Sequence, residues 1–269
     1  MTGVDVDGRP VAWREAGDGP VVVFLHGLGG SRTAWDPQLA ALATDFRCVA
    51  WDLPGYGASP PPGRPLTFPA LADAVAGLLD ALGVEQAPLV GLSLGGMVAL
   101  HTALTHPDRI GGLVLVDTSP AFGLDGTDPG EWRAARRAPL DAGLTPGDFA
   151  EDVLRSVAGP EFDGPPLDRA VAAMARIPAD GLRAVIDLLP SHDVRDRLGE
   201  ITAPTLVLVG EHDAETPLAY SHALADGIPG ARLEIVGGAG HLTPAEAPEA
   251  VNRLLARFLP TTFSRLEAP

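Results

Sequence analysis

Short apolar runs punctuate this chain at intervals that suit buried strands, and the longer segments between them repeat their apolar positions at helical spacing. Val21-Val22-Val23-Phe24-Leu25 and Leu206-Val207-Leu208-Val209 are apolar at every position, the pattern of a parallel strand covered on both faces. Strands are predicted at Val11–Glu15, Val21–Leu25, Phe46–Trp51, Pro88–Leu92, Leu113–Asp117, Thr205–Gly210 and Arg232–Val236. Helical patterns fill the intervals at Ala34–Ala43, Pro69–Leu82, Leu94–His106 and Pro217–Gly227, and a last helix at Ala245–Leu259 is broken near Pro248. This alternation predicts a doubly wound, mostly parallel α/β sheet.

The alternation lapses between about Ser119 and Glu200, a stretch rich in Pro and Gly with no clear strand. Helices are predicted there at Gly130–Ala142, Pro146–Ala158, Leu167–Ile177 and Asp180–Leu189. The simplest organisation is a core made of residues 1–119 and 200–269. Residues 120–199 then form a helical cap (lid) inserted between two consecutive strands, over the ends of the sheet. No internal repeat is found, and the tail from Pro260 to Pro269 is expected to be loosely held.

Composition narrows the chemistry. At 269 residues with 46% hydrophobic and 20% charged positions, the chain is globular and long enough for one large domain or a core with an insertion. Its 19 basic residues are all arginine, and 35 acidic residues bring the net charge to −16. Without lysine there is no Schiff base and no P-loop contact to a phosphate. The one cysteine, Cys48, lies in an apolar run and reads as a small core residue, and no metal site or cofactor is expected. The negative balance opposes nucleic acid and anionic membranes. No run of about 18 apolar residues exists to span a bilayer. The N-terminus lacks the basic and apolar stretches of a signal peptide, so a cytoplasmic protein is expected; a monomer or homodimer is the expected assembly.

Gly91-Leu92-Ser93-Leu94-Gly95 matches G-x-S-x-G, follows an apolar strand and opens a helical pattern. A serine at so sharp a turn needs small neighbours, and Gly91, Gly95 and Gly96 meet that demand. The turn would present the Ser93 hydroxyl at the carboxyl end of the sheet, over the positive end of a helix. A hydroxyl is a weak nucleophile and needs a base. Of seven histidines, His241 follows the last strand across Gly237-Gly238-Ala239-Gly240 and is the expected base. His26, His101, His106 and His212 read as structural, and His192 and His222 as exposed on helical segments. A carboxylate must orient the base. Asp213 follows the strand Thr205–Gly210 and precedes His241 by 28 residues, room for one helix and one strand. Its rival is Asp117, at the end of the preceding strand. The backbone N–H groups of Leu94 and of Leu28, with Gly29 as the alternative to Leu28, are the expected oxyanion donors.

Over nearly its whole length the chain resembles the α/β-hydrolase superfamily, and within it the 3-oxoadipate enol-lactonases and related carboxylesterases. The residues that carry the likeness are HGLGGSRTAWDPQL (26–39), WDLPGYGAS (51–59), GLSLGGMVAL (91–100), DVRDRLGEITAPTLVLVGEHDAETP (193–217), GAGH (238–241) and Trp132. The resemblance implies an α/β-hydrolase fold with the cap after the sixth strand. It also implies a cofactor-free hydrolysis of a small-molecule ester or lactone through Ser93, His241 and Asp213. A carbon–carbon bond hydrolase or a perhydrolase of the haloperoxidase kind on the same triad is the alternative. Specificity is expected in the insertion, with Trp132 and Arg133 beside the substrate. Arg133, Arg136 and Arg137 share overlapping faces of one predicted helix. They would clamp a substrate carboxylate there, or else form a solvated face balancing Asp128, Glu131 and Asp141.

Overall fold

The computed structural model describes residues 4–5 and 10–263. Its strands are β1 (Val4–Asp5), β2 (Pro10–Val11), β3 (Trp13–Ala16), β4 (Val21–Leu25), β5 (Arg47–Trp51), β6 (Ala87–Leu92), β7 (Ile110–Val116), β8 (Thr205–Gly210) and β9 (Arg232–Val236). β1 and β2 pair only with each other, and the remaining seven form one sheet in the order β3-β5-β4-β6-β7-β8-β9. β3 runs antiparallel to β5, and every other neighbouring pair in that sheet is parallel. The helices are α1 (Asp36–Leu42), α2 (Phe68–Leu82), α3 (Leu94–Thr105), α4 (Pro129–Asp141), α5 (Pro146–Val157), α6 (Pro165–Ala175), α7 (Ala179–Leu188), α8 (Leu218–Gly227), α9 (Thr243–Glu246) and α10 (Pro248–Phe263).

Alternate residues of each strand feed two apolar layers. Val22, Phe24, Cys48, Ala50, Val90, Val114 and Leu208 pack with Leu39 of α1 and Val251, Leu255 and Leu259 of α10. Val23, Leu25, Val49, Leu89, Leu113, Leu115 and Val207 pack on the other side with α2, α3 and Leu224 of α8. In α2 the stripe Leu71, Val75, Leu78, Leu79 and Leu82 is buried, each side chain contributing on the order of 2 kcal/mol. The Thr67 hydroxyl caps the start of α2 by accepting from the Ala70 N–H at 3.2 Å, and Gly83 at φ 72° ends it.

Helices α4 to α7 occupy the interval between β7 and β8, and Leu140, Leu154, Met174 and Val185 join the same buried cluster as Leu94 and Val98 of α3. One expectation is corrected here. The insertion follows the fifth strand of the large sheet, not the sixth, because β1 and β2 pair with each other instead of adding a strand to that sheet. The tail also differs. α10 continues through Pro260 to Phe263, where Thr262 is buried and the Phe263 ring stacks on Phe46 at 5.9 Å. Residues 264–269 lie outside the described residues. Among the described residues no helix is long and apolar enough to cross a membrane.

Candidate active site

β6 runs into α3 through Ser93, whose backbone stands at φ 53°, ψ −118°. Among the described residues only Ser93 and Asp117 are non-glycine residues with positive φ. Such strain persists where surrounding contacts enforce it. Here the enforcement is visible: a Cβ on Gly91 would stand 2.4 Å from the Gly95 carbonyl oxygen, and one on Gly95 would stand 2.1 Å from that of Leu25. A Cβ on Gly96 would stand 2.6 Å from the Thr118 side chain, and the Ser93 N–H donates to the Val116 carbonyl at 2.9 Å. The turn tolerates only glycine at these neighbours, as its sequence anticipates.

His241 Nε2 lies 3.0 Å from Ser93 Oγ, and its Nδ1 lies 3.1 and 3.0 Å from the two carboxylate oxygens of Asp213. A carboxylate on Nδ1 fixes the proton there and leaves Nε2 to accept from the serine hydroxyl. Asp213 in turn accepts from the Glu215 and Thr216 N–H groups, both at 2.9 Å, and from the Thr216 hydroxyl at 2.7 Å. Burial alone would lower the His241 pKa, but the charge and hydrogen bond of Asp213 outweigh it and raise it. For Asp213, burial pushes upward, and the imidazole with the two Thr216 donors pulls the carboxyl below its ordinary value. Thr216 is a residue the sequence reading passed over; its signal was a hydroxyl three positions after a loop aspartate.

Asp117 is fully buried beneath this array, at the end of β7. Its carboxylate accepts from the Gly210 N–H at 2.9 Å and the Thr243 N–H at 3.1 Å, and lies 3.0 Å from the Thr243 hydroxyl. Burial, then the charge of Asp213, hold its pKa well above the ordinary carboxylate value. Asp117 therefore braces the loops after β8 and β9, while Asp213 meets the imidazole.

The loop after β4 abuts the serine: a Cβ on Gly27 would stand 3.3 Å from the Ser93 Cβ. Leu28 lines the same cavity as Ser93. Gly96 and Met97 N–H groups both donate to the Ser93 carbonyl, at 2.9 and 3.1 Å. Leu94 is the first residue of α3, where an N–H has no acceptor one turn back within the helix. His26 holds the loop: its Nδ1 donates to the Gly27 carbonyl at 2.8 Å and its Nε2 accepts from the Leu53 N–H at 3.1 Å.

Ser93 and His241 open into a cavity of about 310 Å³, walled by apolar side chains such as Leu28, Met97, Phe122, Leu154 and Met174. Trp132 lines it, edge-on to Phe122 at 5.2 Å. Arg133 does not. It turns to Asp187 at 3.6 Å, which Arg137 also engages at 3.1 Å, because the acid on α7 draws both guanidinium groups to the far face of α4. Arg136 takes the cavity position instead, 5.5 Å above the Trp132 ring and paired with both Glu215 oxygens at 2.9 and 3.0 Å. Asp125 and Arg169, both exposed, add one charge of each sign to the lining.

The remaining histidines lie elsewhere. His192, expected to be exposed, is buried: its Nε2 donates to the Ser119 carbonyl at 2.9 Å, and its Nδ1 accepts from His101 Nε2 at 3.1 Å. Phe68 stacks on His101 at 4.4 Å, and His101 is half-buried. His106 meets Asp73 at 2.8 Å, and His222 and His212 are exposed. Burial pushes the Cys48 thiol up to about 12, consistent with an inert core residue.

Residues 20–152 match the family described as alpha/beta hydrolase fold, and residues 186–263 match one described as TAP-like protein. A putative carbamate hydrolase RutD from a Caulobacter species is 35% identical over 91% of this chain and 92% of its own. The 3-oxoadipate enol-lactonase 2 of Acinetobacter baylyi is 29% identical over 87% of this chain and 86% of its own. Among solved structures, a thermophilic esterase from Thermogutta terrifontis superimposes with a TM-score of 0.87 at 31% identity, covering 97% of each chain.

Proposed function

Because the chain belongs to the α/β-hydrolase family, we propose that it hydrolyses a neutral carboxylic ester or lactone through an acyl-enzyme on Ser93. The observation that carries this reading is the continuous line from Asp213 through His241 to the Ser93 hydroxyl, each step within 3.1 Å.

In this reading His241 Nε2 takes the Ser93 proton as Oγ attacks the acyl carbon. Asp213 stabilises the imidazolium so formed, and the Leu28 and Leu94 N–H groups receive the developing oxyanion. The imidazolium then returns its proton to the leaving oxygen as the acyl–oxygen bond breaks. An ester loses its alcohol at this point, whereas a lactone opens and keeps its hydroxyl on the acyl chain. Water enters, gives a proton to His241 and attacks the ester carbon; Ser93 leaves with that proton, and a carboxylic acid is released.

Charge supports a neutral acyl group. Arg136 is already paired with Glu215, Arg133 and Arg137 face Asp187, the charge of Arg169 in the lining is matched in sum by that of Asp125, and the protein carries a net charge of −16. A carbamate offers the same kind of acyl carbon, and the name of the Caulobacter relative makes it the second substrate class to examine. The test is a panel of short aryl esters, neutral lactones, enol-lactones, carbamates and ring-cleavage diketones with purified protein. Turnover of esters or lactones above the others is expected. Exclusive turnover of the diketones, or of peracid formation, would move the reading to the carbon–carbon hydrolase or perhydrolase alternative.

A further inference from the structure

The four backbone N–H groups around the expected base are all engaged, and none by a sheet partner. Gly240 and Leu242 donate to the two oxygens of Glu246 at 2.8 Å each, His241 donates to the Val157 carbonyl at 3.0 Å, and Thr243 donates to Asp117. The Glu246 oxygen that holds Gly240 also accepts from the Gly159 N–H at 2.8 Å. Val157 ends α5 and Gly159 follows it, so this carboxylate spans from the insertion to the His241 loop.

The two backbones meet without room for side chains. A Cβ on Gly240 would stand 2.3 Å from Gly159 N and 2.9 Å from the Val157 carbonyl, and one on Gly159 would stand 2.8 Å from Gly240 N. A carboxylate with two acceptor oxygens is suited to three converging donors, and its charge strengthens each bond. On the cavity side of the same α5, Val153, Leu154 and Val157 form part of the wall.

We propose that Glu246 is a positioning residue that joins the α5 wall of the acyl cavity to the His241 loop, so that an acyl group packed against α5 helps hold the imidazole over Ser93. This rests on the reading of Ser93 and His241 as nucleophile and base. The C-terminal end of α5 is then a fixed part of the site rather than a lifting lid. Acyl-group preference is expressed in kcat as well as in KM, because contacts on α5 are spent on aligning the base.

The experiment compares p-nitrophenyl acetate, butyrate and hexanoate with the wild type, Glu246→Gln and Glu246→Ala, alongside melting temperatures. A displaced base is costly, so in Glu246→Ala kcat on butyrate and hexanoate should fall about thirtyfold with KM changed less than about threefold. The loss on acetate, which is too short to press on α5, should be smaller, flattening the chain-length dependence of kcat. Glu246→Gln should be intermediate, since its amide oxygen keeps two of the three N–H bonds; it decides the matter alone if the alanine variant does not fold. A lower melting temperature with kcat unchanged on every ester overturns the proposal, as does an equal proportional loss on all three. Ser93→Ala is measured in parallel: if it stays active, the reading of the site fails whatever Glu246 does.

Discussion

Asp117 and Asp213 follow neighbouring parallel strands, yet only Asp213 reaches His241, its two oxygens 3.1 and 3.0 Å from Nδ1. Asp117 instead accepts from Gly210 and Thr243, the residues that lead into the acid loop and away from the base. The two acids can therefore be told apart by substitution. Asp213→Asn should cost about 10³ to 10⁴ in kcat, because an amide favours the wrong imidazole tautomer. Asp117→Asn should cost about tenfold or less, acting through loop position. Steady-state kinetics on one aryl ester check both, and a larger loss in Asp117→Asn would reverse the assignment.

The His101–His192 pair gives stability a pH dependence of its own. Burial lowers the His101 pKa to about 3, with the His192 charge adding to it, and lowers that of His192 to about 4. The unfolded chain binds these protons near pH 6.5. Their contribution is thus complete above about pH 6.5 and is lost as pH falls from there toward the folded values, by at most about 1.4 kcal/mol per pH unit for each group. Urea midpoints at pH 7.5 and pH 5 should differ less in the double variant His101→Gln, His192→Gln than in the wild type. An identical difference in the two proteins would remove the pair from the account.

Much of the fold was legible because its two periods are clean. The every-position apolar runs at Val21–Leu25 and Leu206–Val209 are buried on both faces, and each interior helix lies within two residues of its predicted limits. The Ser93 turn was legible for a steric reason, since only glycine fits at 91 and 95. What stayed hidden depends on long-range placement. Nothing local shows that His192, just after α7, swings under Phe68, or that Asp187 pulls Arg133 away from the cavity and leaves Arg136 beside Trp132. Glu246 was likewise invisible, because its partner Gly159 lies 87 positions away.

Charge preference in the cavity follows from the Arg136–Glu215 pair, whose side chains are about a third exposed. With the guanidinium occupied, an aryl ester of a neutral acyl group should be turned over about tenfold better, by kcat/KM, than its hemisuccinate counterpart. Glu215→Gln frees Arg136 and should narrow that gap. A wild-type preference for the anionic ester would contradict the neutral-substrate reading, and a gap unmoved by Glu215→Gln would show that the pair does not set it.

Attack on the acyl carbon is proposed for the Ser93 hydroxyl, which lies 3.0 Å from His241 Nε2. The direct measurement is kcat/KM of Ser93→Ala on p-nitrophenyl acetate, with the melting temperature taken alongside. A loss of about 10⁴ or more at an unchanged melting temperature is expected, since removing the nucleophile of a triad disables the whole unit. Full hydrolysis by Ser93→Ala would contradict the account.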